Sequence, residues 1–290
     1  MSDPTNHHWL PQFLMRRWCG DDKLVNRFYR PHSKVVFGRK SPKSLGSKKN
    51  LYTSEWKRAR DSFYIEKDIF TRSIDEPASI IIEKIIKYGI EFISNKERRA
   101  FSQFITTLFH RVRQNNFSTD ESKEFIDFDE YVKKAKSDSS SIKDESDQYI
   151  LDYYNNNIKG AWKHIWITAF LEHSVSCEMT QDLYNMEWHI LKNETVEYVL
   201  GDNPVQIFGK NSKLMSVTIP ISPNLAFIAS KKDYFDKDVI FKKEFREIFV
   251  IQQNRKQFET ARDFVISCDL GPNDGLLRIA EIYMKISDKF

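Results

Sequence analysis

The chain has 290 residues, of which 40% are hydrophobic and 30% are charged, and its formal net charge is +4. This composition is typical of a globular protein and excludes an intrinsically disordered chain. No apolar run reaches the ~20 residues of a membrane-spanning helix, and the polar N-terminus predicts no signal peptide, so we expect a cytoplasmic protein. Nine glycines and nine prolines are few for a many-stranded sandwich or barrel, which favours a helix-rich fold.

Charge is distributed unevenly along the chain. The basic segment, residues 16–60, contains fourteen Lys and Arg against three Asp and Glu, whereas residues 119–147 contain five Lys against ten Asp and Glu. Clustered basic residues are typical of a surface that binds a polyanion, so this segment predicts contact with nucleic acid or a nucleotide. The alternative is that the two segments form oppositely charged surfaces of one fold.

Residues 6–18 predict a short amphipathic helix. Apolar side chains recur there at helical spacing, at Leu10, Phe13, Leu14 and Trp18. His7 and His8 directly precede the expected helix start, and Gln12 falls in its first turn. Free backbone N–H groups at a helix start favour anions, so these side chains would bind a phosphate or place a general base beside one. In the alternative, the aromatic residues anchor a terminal helix and both histidines are exposed.

The next segment predicts strands and a loop. Residues 23–29 have the pattern of a strand, and residues 31–50 form a basic loop around a short strand at 35–37. A loop of this composition suits a phosphate-binding surface that becomes ordered when its ligand binds.

Two helices are predicted in the middle of the chain. A capping box at Ser73 and Glu76 opens the first, over residues 74–94, whose isoleucines form a wide apolar face. The second begins at Asn95, which we expect to cap it. Its core stripe consists of Phe101, Phe104, Ile105, Leu108 and Val112.

The second helix also carries a polar stripe without carboxylates. Its members are Gln103, Thr106, Thr107, His110 and Arg113. Such side chains along a cleft suit the recognition of phosphate or carboxylate, although neutral polar stripes also pack against loops. Beyond this helix, residues 117–147 predict a charged connection and residues 148–177 a further helix.

From residue 187 onward the chain predicts a small antiparallel sheet. Short strands are expected at 188–191, 196–200, 205–208, 214–220 and 225–230. A closing helix begins near Ile251, while the pattern at 276–286 fits either a strand or a helix. We therefore expect an α+β fold in a single domain: a basic N-terminal segment (1–60), a core of three main helices (74–177), the strands (187–230) and a closing helix and tail (244–290).

The turn inside residues 196–208 is a second candidate site. Gly201, Asp202, Asn203 and Pro204 are the residue types that tight turns select. Because Asn203 precedes a proline, its backbone is restricted and the two polar side chains are held in fixed directions. The same sequence also describes an ordinary turn.

These motifs together resemble one family. The run His7-His8-Trp-Leu-Pro-Gln-Phe-Leu is similar to the His-His-x-x-Pro-Gln-x-x-Leu opening of the domain of unknown function 4238 family of uncharacterised bacterial proteins. The turn at 201–205 resembles its Ser-Asp-Asn-Pro-Val, residues 219–223 resemble its Pro-x-Ser-Pro, and residues 254–265 resemble its closing helix. The order of the motifs along nearly the whole chain carries the resemblance.

The resemblance implies site candidates but no reaction. His8, Gln12, Arg113, Asp202 and Asn203 fall at the family's motif positions, with His7 beside them. The family's helix motif Gln-x-x-Arg-Thr-Pro has His110 in place of its Gln here, and Gln114-Asn115 in place of Thr-Pro.

The leading hypothesis is a hydrolase, a nuclease or phosphodiesterase acting on nucleic acid or another phosphate-containing substrate, with a role as a defence or toxin effector. His7 or His8 would be the general base or acid, Arg113 would stabilise phosphoryl charge, and Asp202 would orient the histidine or hold a divalent ion. The expected substrate-binding residues are Gln12, Gln103, His110 and Asn203.

The alternative hypothesis is a non-catalytic nucleic-acid-binding or regulatory protein in which the same residues form a structural network. The cofactor stays unknown, because no spacing in the sequence is specific for a metal. A metal site of Asp202 with Glu66 or Glu83 is the only arrangement that the sequence suggests.

Overall fold

The computed structural model describes residues 6–53, 65–114, 178–210, 213–235, 240, 242–268 and 274–285. These ranges form helices and small antiparallel sheets, which confirms the mixed helix and sheet class. The predicted connection 117–147 and the predicted helix 148–177 lie outside the described residues, so the expected core of three main helices stays a prediction.

Helices occur throughout the described ranges. The α-helices are α1 (Gln12–Met15), α2 (Glu76–Tyr88), α3 (Asn95–Gln114), α4 (Glu178–Asn185), α5 (Lys243–Thr260) and α6 (Asp274–Tyr283). A π-helical segment, Ile65–Asp75, leads directly into α2, and short 3-10 turns occur at Arg16–Trp18, Pro42–Ser44 and Ile90–Phe92. The region whose pattern fitted either a strand or a helix is therefore helical, and the closing helix begins well before Ile251.

The described strands form three antiparallel sheets. The first pairs β1 (Asn6–His8) with β4 (Ser47–Lys49). The second sheet contains β2 (Val25–Tyr29), β3 (Val36–Lys40), β6 (Leu200–Gly201) and β10 (Val265–Ser267). These strands are arranged in the order β3-β2-β10-β6. The third sheet contains β5 (Glu187–Lys192), β7 (Gln206–Lys210), β8 (Lys213–Ser222) and β9 (Leu225–Ser230). These strands are arranged in the order β5-β9-β8-β7.

The expectation of one C-terminal sheet is wrong. The predicted strand 196–200 is reduced to β6, which joins the second sheet, so the turn after it crosses from one sheet to another. In the second sheet Val265 lies opposite Phe28, which ties the N-terminal hairpin to the end of the closing segment. Pairing between residues so distant in sequence leaves no local pattern to detect.

The prediction that His7 and His8 directly precede a helix start is also wrong, whereas Gln12 lies in the first turn of the helix as expected. Both histidines lie in β1, with His7 opposite Lys48 and His8 opposite Ser47. The helix that follows begins only after Pro11 and has four residues. It cannot start earlier because the preceding residues are held in an extended conformation by pairing with β4, and proline is well suited to the start of a helix.

Neither predicted helix cap forms, and only α3 has another side-chain cap in its place. The Ser73 hydroxyl does not cap α2 but donates to the Asp68 carbonyl at 2.7 Å within the π-helical segment. At α3 the cap is Ser94 and not Asn95, because the Ser94 N–H donates to the Glu97 carboxylate at 2.8 Å and the Glu97 N–H donates back to the Ser94 hydroxyl at 3.3 Å. These reciprocal bonds form a capping box.

The main core lies between α3 and the third sheet. The predicted stripe is confirmed at Phe101, Phe104, Ile105 and Leu108, which are fully buried. Phe101 meets Trp188 of β5 and Phe227 of β9 edge to face, at centroid distances of 5.8 and 5.1 Å. Edge-to-face packing of this kind stabilises aromatic cores.

A second core joins the N-terminal hairpin to the end of the chain. Phe28 of β2 packs between Phe37 of β3 and Phe258 of α5, at centroid distances of 5.2 and 5.4 Å. Leu276 and Ala280 of α6 complete this cluster. The basic segment is therefore anchored to the fold from both sides, which fixes the surface that it presents.

Candidate functional site

Strand β1 presents its two histidines to opposite faces, as successive strand residues do. The His7 ring is fully buried and stacks on Tyr52, with the ring centroids 5.8 Å apart. Its Nδ1 accepts the backbone N–H of Tyr52 at 2.8 Å, so the ring is held in place with Nδ1 unprotonated. This predicted catalytic residue thus ties β1 to the segment after β4.

His8 is half-buried and points the other way. Its Nε2 donates to the Lys43 carbonyl at 3.3 Å. Burial lowers the pKa of His8 below its ordinary value of 6.5, an effect that hydrogen bonds to the carbonyls of Lys43, Pro42 and Asn6 partly offset. The ring is therefore neutral at pH 7.

Glu66, near the start of the π-helical segment, lies against the backbone of β1. Its carboxylate accepts the N–H of His8, yet burial raises the pKa of Glu66 to about 7, with the nearby Arg111 acting in the opposite direction. Its Oε2 is buried and has no hydrogen-bond partner. A carboxyl group with a pKa near neutrality can both give and take a proton at physiological pH.

A buried ion pair lies beside Glu66. Arg111 of α3 is 1% exposed and donates twice to the Asp75 carboxylate, at 3.0 and 2.8 Å. Its guanidinium lies 4.0 Å above the centre of the Phe70 ring. Burial alone would lower the pKa of Arg111, but the Asp75 carboxylate more than offsets this and raises it, so the side chain stays charged.

Tyr52 completes this group, which we call the acid–arginine cluster: Tyr52, Glu66, Asp75 and Arg111. The Tyr52 ring is buried against Phe70, and its hydroxyl has no hydrogen-bond partner. The Nε of Arg111 also lacks one. Buried polar atoms are ordinarily hydrogen-bonded, so three unpartnered atoms in one cluster mark a place that a ligand could complete.

A pocket of about 580 Å³ opens on the other side of His8. We call it the basic pocket, and its described lining consists of Gln12, Arg16, Cys19, Lys23, Ser41, Pro42 and Lys43. Among these described residues there are three cations and no carboxylate. Arg16 donates to the side-chain oxygen of Gln12 at 3.1 Å. His8 adjoins this pocket because its ring bonds the carbonyl of Lys43.

Asp202, the other predicted catalytic residue, has a different set of partners. Its carboxylate is 1% exposed and accepts the backbone N–H groups of Arg262 and Asp263 at 2.9 and 2.8 Å, while its own N–H donates to the Phe264 carbonyl at 3.0 Å. These bonds fasten the turn after β6 to the chain after α5.

Amide side chains of α5 hold the rest of this turn. Gln257 accepts the N–H of Gly201 at 2.8 Å and donates to the Pro204 carbonyl at 2.9 Å. Asn254 accepts the N–H of Val199 at 3.0 Å. The Asn203 carbonyl accepts a bond from Gln206 at 2.8 Å. The helix therefore bonds this segment as a neighbouring strand would.

The sequence profile of one family, described as a protein of unknown function (DUF4238), matches residues 6–270. The chain belongs to the DUF4238 family. This match confirms the resemblance drawn from the motifs, and it spans the acid–arginine cluster, the basic pocket and the Asp202 turn. Comparison with curated proteins and with solved structures gives no significant match.

The DUF4238 motif residues fall into separate surroundings. His8 and Gln12 lie together beside the basic pocket, whereas Asp202 and Asn203 lie in the turn held by α5. On α3, Gln103 is half-buried, and His110 is half-buried with its ring edge on Phe109, 5.3 Å between centroids. The side chain of Arg113 lies outside the described part of the structure.

The acid–arginine cluster contains residues that sequence reasoning missed. Arg111 follows Phe104 and Leu108 at helical spacing and so lies on the core face of α3. A charged residue at such a position is almost never fully buried unless it is paired, and this was the signal available. Asp75 and Tyr52 carried no comparable pattern.

A metal site of Asp202 with Glu66 or Glu83 has no support among the described residues, where no group of three or more His, Cys, Asp or Glu is placed to hold an ion. Glu83 instead accepts a hydrogen bond from Arg17 at 2.8 Å. Among the helices that the structure describes, none is both long and apolar enough to cross a membrane.

Proposed function

We propose that this protein binds a phosphate-containing ligand, a nucleic acid or a nucleotide, in the basic pocket. One observation carries the proposal: Arg16, Lys23 and Lys43 line a single pocket in which the described lining has no carboxylate. These three cations of the basic segment converge on an open space, whereas Arg17 and Arg39 of the same segment are paired with Glu83 and Asp22.

The chemistry of the pocket suits phosphate oxygens. Arg16 is bonded to a neutral amide, that of Gln12, so its charge is not cancelled there. Arginine and lysine side chains form charge-assisted hydrogen bonds to phosphate, and Ser41 adds a hydroxyl donor. A volume of about 580 Å³ is within the range of pockets that accept a nucleotide-sized molecule.

The test is binding of a fluorescein-labelled single-stranded RNA, with single-stranded DNA in parallel, followed by anisotropy at several salt concentrations. The variant replaces Arg16, Lys23 and Lys43 by Gln. A matched control replaces Lys96, Lys232 and Lys242, which are exposed elsewhere, so that both variants lose the same charge.

We expect the pocket variant to reduce the slope of log affinity against log salt by about 2, because each lost phosphate contact on a single strand removes roughly 0.7. The control variant should keep the wild-type slope. Equal slopes in the pocket variant and the wild type would reject the proposal, as would equal losses in both variants.

Hydrolysis of a phosphodiester at the acid–arginine cluster, across His8 from the basic pocket, is a second candidate, favoured by the Glu66 carboxyl with its pKa of about 7 and its bond from the His8 N–H. As a general base, Glu66 would take a proton from the water that attacks phosphorus. The bond from phosphorus to the leaving oxygen would break, and that oxygen would receive a proton from water.

Cleavage of the same labelled RNA and DNA tests this candidate, with magnesium, manganese or EDTA present. Glu66→Gln should abolish cleavage while binding persists, and the control Glu83→Gln should cleave as the wild type does. Cleavage that survives Glu66→Gln would exclude this residue as the base. Binding without cleavage in all lanes would leave the protein a binding protein.

A further inference from the structure

A second pocket, of about 540 Å³, lies between β7, β8 and α5 and shares no lining residue with the basic pocket. We call it the aromatic pocket. Its apolar walls consist of Phe208, Tyr234, Phe235, Phe245, Ile248 and Phe249. The proposed function does not use this pocket, and neither histidine of β1 lies near its described lining.

The walls are anchored to the core. Phe245 and Phe249 pack in parallel, 6.0 Å between ring centroids, and Phe235 meets Phe245 edge to face at 6.1 Å. These three rings rest on the buried cluster of Leu191, Ile228 and Ile240. The aromatic surface is therefore preformed and does not need to be assembled by a ligand.

The pocket has a polar floor with one unused donor. Thr218 and Gln253 line the pocket and are only 1% and 2% exposed. The Thr218 hydroxyl donates to the Gln253 Oε1 at 2.9 Å, which orients the amide. The Gln253 Nε2 has no hydrogen-bond partner. A buried amide N–H₂ without an acceptor costs free energy that a ligand oxygen would recover.

Charged residues at the rim are already engaged. Lys256 is paired with Glu259 at 2.7 Å, and the Arg255 guanidinium lies 4.4 Å above the centre of the Tyr283 ring. The described lining of this pocket thus carries two cations and one carboxylate, a net charge of +1, against +3 in the described lining of the basic pocket. Its chemistry favours a neutral ligand over a polyanion.

We propose that the aromatic pocket binds a neutral, planar aromatic molecule that carries a carbonyl group. The ring system packs against the phenylalanine walls, and the carbonyl oxygen accepts the free N–H of Gln253. This ligand class satisfies both the apolar walls and the one unpartnered donor, and the volume holds a molecule of two or three fused rings.

Calorimetric titration with 2-quinolinone tests the proposal, with naphthalene as a ring system of the same size that has no hydrogen-bond acceptor. Gln253→Leu removes the donor. Because a buried substitution can disturb folding, a second variant, Ile248→Arg, blocks the pocket from a wall residue that is 61% exposed. Ile251→Arg is its control, since Ile251 is exposed on the same helix but does not line the pocket.

We expect 2-quinolinone to bind the wild type about tenfold more tightly than naphthalene, a difference that Gln253→Leu removes. Ile248→Arg should abolish binding and Ile251→Arg should preserve it. The absence of saturable binding, or binding that Ile248→Arg leaves intact, would overturn the proposal. Tight binding without any preference for the carbonyl would overturn the ligand class.

Discussion

The acid–arginine cluster and the Asp202 turn are both buried polar regions, but they differ in how far their hydrogen bonds are satisfied. In the turn, the Asp202 carboxylate accepts two backbone N–H groups and Gln257 uses both ends of its amide. In the cluster, Glu66 and Arg111 each retain a polar atom without a partner.

This difference distinguishes buried polar groups that hold the fold together from buried polar groups that are available to act on a ligand. A buried polar network that is fully bonded contributes rigidity and fixes one arrangement of the chain. A network with unpartnered atoms and a carboxyl pKa raised to about 7 costs stability, and such costs are typical of sites that act on a ligand. The bonds of Asp202 are of the first kind, and under the proposed function Glu66 belongs to the second.

The largest expected effect concerns the buried ion pair of the cluster. Arg111→Met leaves the Asp75 carboxylate buried without its partner, so we expect a loss of about 3–5 kcal/mol in the free energy of unfolding. Denaturation by urea measures it. Arg72→Met is the control, because the Arg72 side chain in the exposed pair with Asp68 is 72% exposed and such pairs contribute at most about 1 kcal/mol. Equal losses in both variants would contradict the assignment.

The pH dependence of stability isolates Glu66. Its pKa in the folded protein is about 7 against an ordinary value of 4.5, so its contribution to stability is complete below pH 4.5 and is lost as the pH rises through 7. Glu66→Gln keeps a neutral side chain at every pH. The variant should match the wild type at pH 4 and exceed it by about 3 kcal/mol at pH 8.

Urea denaturation at both pH values provides this measurement. An increase that is the same at pH 4 and pH 8 would show that the substitution acts through packing and not through the titration of Glu66.

Substitutions of Asp202 in the turn should lower the free energy of unfolding and leave RNA affinity unchanged. Asp202→Ala leaves two buried backbone N–H groups without their acceptor, and we expect a loss of about 2–3 kcal/mol. Asp202→Asn, which keeps one acceptor oxygen, should lose about half as much. In both variants, at temperatures where they are folded, RNA affinity by anisotropy should equal that of the wild type. A folded Asp202→Ala protein with lost affinity would return Asp202 to the functional site.

The smallest effect is expected at Glu83, which is bonded to Arg17 on the surface. Its side chain is 68% exposed, so Glu83→Gln should change the free energy of unfolding by less than about 1 kcal/mol. Thermal unfolding with and without magnesium measures both its stability and any metal dependence. A magnesium-dependent shift that the variant removes would revive the metal hypothesis for this residue.

The sequence correctly predicted helices and strands whose buried faces are marked by a regular spacing of apolar residues. The strand expected at 225–230 is β9, and the helix expected from Asn95 is α3, with Phe101, Phe104, Ile105 and Leu108 of its predicted core stripe buried. Both elements can be recognised from the sequence because the spacing of apolar residues along the chain shows which faces are buried. In α3 the apolar residues lie on one face, and in the central strand β9 they lie on both faces.

Contacts between distant segments were not predictable in this way. The pairing of β1 with β4 moved His7 and His8 from an expected helix start into a strand, and the buried position of Arg111 depends on Asp75 in the preceding helical segment. Sequence reasoning did place His8 and Gln12 in one neighbourhood, since they are close along the chain. Asp202 was placed in the same site as His8 and Gln12 only because a carboxylate could orient a histidine or hold an ion, and not because of any pattern in the sequence.

The pairing of β10 with β2 has a consequence for the order in which the protein is made. The hairpin that supports the basic pocket emerges early from the ribosome, yet the strand that completes its sheet, Val265–Ser267, is among the last parts of the described chain to be synthesised. Pairing at such separation is slow to form. The basic surface therefore acquires its final shape only after translation of nearly the whole chain, and the growing polypeptide carries it in an unfinished state until then.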